Sequence, residues 1–217
     1  KYLHLYQPEI TLEFNPTGKR DTYLQDIHSA GVNRLSIGTQ SFSDSQLQLL
    51  GRTHSASDGI RTVETAFHVG FTNISCDLML ALPEQSETVL NATLETLVQL
   101  PVTHVSAYLL QIEEGTPFSQ NADLLSRCPD DDQSADRYLQ TVHFLENAGI
   151  YQYEVSSFAK KGFTSRHNLK YWKCMDYLGI GAGAHSCYQG KRFCVPEDIL
   201  QFCRDERQTE QILSENP

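Results

Sequence analysis

Short runs of continuous or alternating apolar residues take turns, along this chain, with longer segments of helical period. EITLEFN (Glu9–Asn15) alternates and is rich in β-formers, which predicts a strand. Asp21–Ala30 reads as a helix closed by Gly31. RLSIGTQ (Arg34–Gln40) is the second strand, and SDSQLQLL, from Ser43, is a short helix that stops at Gly51. Ser57–Val69 is predicted helical, with Ser57 as its cap and Gly70 as its end. NISCDLMLALP (Asn73–Pro83) reads as a buried strand broken by proline. Ser86–Leu100 is a longer helix capped by Ser86, with Val89, Leu90, Leu94, Leu97 and Val98 along one stripe. HVSAYLLQIE (His104–Glu113) is the fourth strand, ending in the turn EGTP. A helix over Asp132–Asn147 stops at Gly149, and YQYEVSSFA (Tyr151–Ala159) is the fifth strand. An irregular stretch rich in glycine and aromatic residues comes next, then a helix near Glu197–Asp205.

Strand and helix alternating at this spacing predict an α/β fold of βα units around a parallel sheet, because parallel strands need a crossover. Right-handed crossovers allow either an open doubly wound sheet or a curled, barrel-like one, and periodicity alone leaves both open. The alternation stops near Phe163. The expected division is residues 1–162 for the βα units and residues 163–217 for the C-terminal part.

Composition narrows the function classes. The 217 residues are 40% hydrophobic and 20% charged, an ordinary globular balance. A net charge of −10 argues against a nucleic-acid surface, which needs a basic patch. No apolar run approaches the ~20 residues that cross a bilayer, and KYLHLYQPE has no signal-peptide character. Cysteines at 76, 128, 174, 187, 194 and 203 include no close pair. They read as reduced structural thiols of a cytoplasmic protein and outline no metal site. Asp130, Asp131 and Asp132 read as a solvated loop.

In both α/β architectures ligands bind at the carboxyl ends of the strands. Four strands deliver a polar residue there: Glu13 in the first, Gln40 closing the second, Asp77 within the third, and Gln111 with Glu113 ending the fourth. Arg52 follows the second unit in LLGRTHS. Asp77 carries the most information, since a carboxylate inside an apolar run is costly unless paired or hydrogen-bonded. It is either a ligand-binding acid or a structural acceptor for loop N–H groups. Glu13 is either on a solvent face or in the site, Gln40 either a strand-end residue or a ligand contact, and Arg52 either a surface arginine or an anion grip. Their arrival at successive strand ends favours the site reading.

EITLEFNP, GVNRLSIGTQSFSDSQLQLLGRTHS, NISCDLMLALPEQS and HVSAYLLQIEEGTPF, in this order, resemble the core blocks of the oxygen-independent coproporphyrinogen III oxidase-like radical S-adenosylmethionine (SAM) proteins. The resemblance runs from Glu9 to about Phe193. It implies a partial (β/α)6, TIM-like barrel, and it puts Glu13, Gln40, Arg52 and Asp77 on SAM, with Gln111 and His185 as further contacts. Arginine suits the SAM carboxylate as a bidentate fork, while Glu13, Gln40 and Asp77 offer acceptors to its ammonium and ribose hydroxyls. One departure is Ala81, in LALP, where relatives usually carry glycine.

Such proteins hold a 4Fe-4S cluster on a C-x3-C-x2-C loop. The resemblance places that loop upstream of Lys1, in an N-terminal part that these residues do not contain, so no metal ligand is expected in this chain and the chain alone is expected to be inactive. RHNLKYW supplies an H-N-x-x-Y-W signature similar to the haem-chaperone (HemW-like) branch. It implies haem binding at His167, Asn168, Tyr171 and Trp172, with delivery to a haem-acceptor protein. The residues themselves leave open a turn whose aromatics merely cover the barrel rim. The alternative within the family is oxidative decarboxylation of coproporphyrinogen III. GIGAGAH (Gly179–His185) lacks the spacing of a dinucleotide loop and is expected to approach SAM with its backbone. An unrelated phosphate-binding barrel is disfavoured, because no Gly-rich loop follows a late strand. The sequence assigns no catalytic residue and leaves the oligomeric state open.

Overall fold

The computed structural model describes residues 7–16, 21–204 and 211–214. In chain order its elements are β1 (Thr11–Phe14), α1 (Asp21–Ser29), β2 (Arg34–Gln40), α2 (Asp44–Leu49), α3 (Ala56–Val69), β3 (Ile74–Leu80), α4 (Glu87–Gln99) and β4 (His104–Leu109). Next come α5 (Ala122–Ser126), α6 (Asp131–Asn147), β5 (Tyr151–Gln152), β6 (Ser157–Ala159), α7 (Asn168–Trp172), β7 (His185–Tyr188), β8 (Lys191–Cys194), α8 (Ile199–Arg204) and β9 (Gln211–Ser214). Asp205, the expected end of the last helix, lies outside the described residues. The chain forms two compact units, Lys1–Thr164 and Ser165–Pro217.

The first unit holds a sheet in the order β1-β2-β3-β4-β6-β5. Strands β1 to β4 are all parallel neighbours, each reached through a helix. The expected fifth parallel strand is not one strand. Tyr151–Ala159 folds into a hairpin: the Tyr153 amide donates to the Ser157 carbonyl, and Glu154 Oε2 accepts from the Ser156 amide. The returning half, β6, then runs antiparallel between β4 and β5. Polar groups of the segment satisfy one another at the turn, which a continuous strand would not permit.

Alternation along the strands separates two faces. Leu35, Ile37, Ile74, Cys76, Leu78, Leu80, Val105, Ala107 and Phe158 enter the core with Val63 and Ala66 of α3, Leu90, Leu94 and Leu97 of α4, and Val142 and Leu145 of α6. Glu13, Arg34, Ser36, Ser75, Asp77, His104, Ser106 and Ser157 belong to the opposite, inner face. Two helix starts differ from expectation. Helix α3 begins after Ser55, whose hydroxyl accepts from the Asp58 amide while Asp58 accepts from the Ser55 amide. This reciprocal capping box outcompetes Ser57. Asp130 similarly caps α6 in exchange with Gln133, so the aspartate run starts a helix instead of forming a loop. Ser86 and Gly70 cap α4 and α3 as expected.

The second unit contains the antiparallel sheet β7-β8-β9, with the short helices α7 and α8. Among the described residues no helix is long and apolar enough to cross a membrane.

Candidate functional site

Strand register lines up two adjacent rows of side chains across the inner face. Glu13 is the partner of Ser36 and Ser36 of Ser75, while one step further along the strands Asp77 is the partner of Ser106 and Ser106 of Ser157. Ser36 Oγ donates to Asp77 Oδ1 at 3.1 Å, and Ser106 is the register partner of Asp77 on β4. Burial pushes the Asp77 carboxyl up to about 6. The two serines oppose that shift, the charge of Glu13 adds to it, and Arg34 opposes it. Asp77 is thus the part-buried acid that its apolar strand foretold, held by hydroxyls instead of by an ion pair.

The carboxyl end of β2 departs from regular pairing. The register with β3 shifts between Ile37 and Gln40, and Thr39 Oγ1 donates to the Asp77 carbonyl at 2.9 Å. Gln40 takes a positive φ of 61°, the kind of local kink that re-aims a side chain. Its amide lies over Gly38, where an added Cβ would meet Gln40 Nε2 at 3.1 Å and Asn15 Oδ1 at 2.9 Å. Asn15 Oδ1 also accepts from Arg52 Nη1 at 3.5 Å. Gln40 and Arg52 thus meet through Asn15 and Gly38 at the carboxyl end of β1 and β2, while Asp77 is bonded to β2 through Ser36 and feels the charge of Glu13.

In the same register row as Glu13 and Ser36 lies a layer that sequence reasoning did not single out. The fully buried His104 places Nδ1 2.8 Å from Ser75 Oγ and Nε2 2.7 Å from Tyr153 Oη. Burial first, and the Arg34 charge second, lower its pKa to about 3, so the ring is neutral. Arg34 is itself buried and its basicity is lowered by burial. Asn15, Ser36, Gly38 and Ser106 were equally missed, although Ser36, Gly38 and Ser106 share the inner-face parity of their strands and Asn15 continues that of Glu13.

Gln111 is exposed beyond β4. It lines a groove of about 410 Å3 with Met79, Tyr108, Tyr138 and Val155, which Glu13, Gln40, Arg52 and Asp77 do not line.

In the second unit His167 precedes α7, and its Nε2 lies 2.6 Å from Tyr171 Oη one turn later. The two rings meet edge to face at 5.0 Å, and Tyr171 meets Tyr177 likewise at 4.6 Å. Burial raises the Tyr171 pKa, with Tyr177 adding to the shift. Asn168 donates its amide to Ser165 Oγ, and Trp172 is exposed. His185 is an exposed residue at the start of β7. The glycines of GIGAGAH have a local explanation. A Cβ on Gly179 would collide with the His185 carbonyl, and Gly181 and Gly183 have φ of 115° and 73°. The expected backbone approach to SAM is not needed to account for them.

All six cysteines are free, and among the described residues no group of three or more His, Cys, Asp or Glu is placed to hold a metal. The described residues do not fit a cluster. The inner face does fit a small polar cation: it offers the Asp77 and Glu13 acceptors, and its surface is kept low by Gly38 and the serines.

Residues 2–97 match the family model described as the radical SAM superfamily. The chain is 47% identical over 200 residues to the mouse mitochondrial radical S-adenosyl methionine domain-containing protein 1, covering 92% of this chain and 44% of that protein. It is 41% identical to the Bacillus subtilis heme chaperone HemW, covering 85% and 49%, and 43% identical to the Escherichia coli heme chaperone HemW, covering 82% and 46%. The chain thus spans about half the length of these curated relatives. Among solved structures, coproporphyrinogen III oxidase from Escherichia coli superimposes with a TM-score of 0.79 at 22% identity, over 95% of this chain and 52% of that one. That likeness gives the fold, a partly covered TIM-like α/β barrel with a mostly parallel sheet. By sequence, the chain belongs to the radical SAM superfamily and is similar to the HemW proteins and mitochondrial radical SAM domain-containing protein 1.

Proposed function

We propose that the protein represented by this chain binds haem and delivers it to an acceptor protein, and that it holds SAM on the inner face of its parallel sheet. The family implies SAM and a 4Fe-4S cluster, and for the cluster the described residues offer no ligands. SAM, when bound, supplies a sulfonium, an amino-acid end and an adenosine. Arg52 takes the carboxylate as a fork, Asp77 and Glu13 accept from the cationic end, and Gln40 accepts from a hydroxyl.

The haem half rests on α7. His167, Tyr171 and Trp172 present an imidazole, a phenol and an exposed indole within little more than one helical turn, a set suited to ligating and flanking a porphyrin. The observation that carries the reading is the 41% and 43% identity to proteins named heme chaperones, over more than four-fifths of this chain. Ligation through Nε2 requires breaking the bond to Tyr171, which Tyr171→Phe removes.

Titration with haem, followed by absorbance, tests the proposal. A Soret shift is expected, weakened in His167→Ala and retained in Tyr171→Phe. No shift, together with anaerobic conversion of coproporphyrinogen III by the full-length protein, would replace the chaperone reading with an oxidase one. A His167→Ala titration that matches the wild type would remove that residue from the haem site.

A further inference from the structure

To hold a cation, as proposed for SAM, Asp77 must be ionised. Its surroundings push the other way. Burial disfavours the charge, Glu13 on β1 repels it from the same face, and Tyr108 shares the inner-face parity two residues beyond Ser106 on β4. Of the charged groups facing it, Arg34 on β2 is the one that favours ionisation, two residues before Ser36. What remains on either side is a hydroxyl: Ser36 from β2, at 3.1 Å from Oδ1, and Ser106 from β4, the register partner of Asp77. Hydroxyls that donate to a carboxylate favour its charged form and fix its rotamer. They are also small enough to leave the space before the carboxylate open.

We infer that Ser36 and Ser106 are positioning residues for Asp77: from the two neighbouring strands they hold its carboxylate charged and aimed across the inner face. The inference rests on the reading of Asp77 as a SAM ligand for its purpose, but the positioning itself is measurable without SAM. Neither serine acts on ligand chemistry directly; both act through Asp77.

The test uses the full 217-residue chain. The carboxyl carbon of Asp77 is titrated by 13C NMR, its resonance identified by its loss in Asp77→Asn, and SAM binding is measured by calorimetry from about pH 5.5 to about pH 8.5. Ser36→Ala and Ser106→Ala are expected to move the Asp77 midpoint upward by about one pH unit each. Their SAM affinity should fall roughly five- to tenfold near pH 5.5 but only about twofold at neutral pH, the gap closing as pH rises, since the charged form then returns. Ser36→Thr, which keeps the hydroxyl, should restore the midpoint. Should an alanine variant fail to fold, Ser36→Cys, nearly isosteric but a weak donor, should give an intermediate rise. Alanine or cysteine variants that titrate like the wild type overturn the inference, whatever their affinity. Wild-type SAM affinity in Asp77→Asn instead overturns the assignment of Asp77 to SAM and leaves the NMR midpoint to judge the serines.

Discussion

A Cβ built on Gly38 would stand 2.9 Å from Asn15 Oδ1, closer than real Cβ atoms approach a neighbour. The missing side chain lets Asn15, just past β1, and Gln40 from β2 cross over the same strand end. Asn15 in turn lies 3.5 Å from Arg52. Gly38 does not have a positive φ, so alanine is conformationally acceptable there and its only fault is steric. Gly38→Ala should therefore displace Asn15 or Gln40 while changing stability by about 1 kcal/mol or less. SAM affinity, read by calorimetry, should drop about tenfold. An unchanged isotherm would show that neither side chain contacts the ligand.

Arg52 is exposed, and its contact with Asn15 is long. A surface side chain so placed adds little to folding, within roughly 0.5 kcal/mol. Arg52→Ala should unfold at the wild-type urea midpoint yet lose about tenfold in SAM affinity. Arg52→Lys should recover only part of that loss, because an ammonium cannot form the bidentate fork. Equal affinities across the three proteins would return Arg52 to the surface.

Much of this arrangement is legible from alternation alone. Leu35 and Ile37 against Arg34, Ser36 and Gly38 already assign two faces to β2, and Val105 against His104 and Ser106 does the same for β4. Asp77 stands out because burying a carboxylate is costly. Asn15 and Gly38 do not, since one reads as a turn residue and the other as a strand glycine until β1 and β2 are set side by side. The bond from His104 to Tyr153 joins residues 49 apart through the β5–β6 hairpin. That hairpin is itself invisible in YQYEVSSFA, which alternates like a single strand. Ser57 and Ser55 are hard to tell apart as caps because a hydroxyl before a helix is a signal that both satisfy. Only the Asp58 side chain, bonding back to Ser55, separates them.

Ala81 carries a φ of 58°, a left-handed conformation that an L side chain enters at a cost of about 1–2 kcal/mol. The position is held by Gln85, whose Oε1 accepts the Ala81 amide at 2.8 Å while its Nε2 donates to the Met79 carbonyl at 3.2 Å. Glycine would remove the strain but adds freedom to the unfolded chain, worth about 0.5–1 kcal/mol. Ala81→Gly should gain about 0.5–1 kcal/mol net and raise Tm by about 2 °C. A lower Tm would mean that the Gln85 bonds, and not the backbone, set the energy of this turn.

His104 and Asp77, on the same face, make opposite demands on pH. His104 falls from an ordinary value of 6.5 to about 3 on folding, so between those limits the unfolded chain binds a proton that the folded chain refuses. Its contribution is present above about pH 6.5 and is lost as pH falls, by up to about 1.4 kcal/mol per unit. Asp77 rises from 3.8 to about 6, so in that window the folded chain binds the extra proton and stability grows as pH falls. From about pH 6 to about pH 4 the two effects oppose each other, and each variant should reveal the other. Asp77→Asn should lose stability relative to the wild type on going from about pH 6 to about pH 4, by about 1–3 kcal/mol. His104→Gln, destabilised at neutral pH by the loss of its bonds to Ser75 and Tyr153, should regain ground by a similar amount over the same interval. Urea unfolding at a series of pH values would read both slopes. Curves for the variants that run parallel to the wild type would mean that neither group titrates differently in the folded chain, and the buried, neutral His104 would then have to be abandoned together with the hydroxyl-held Asp77.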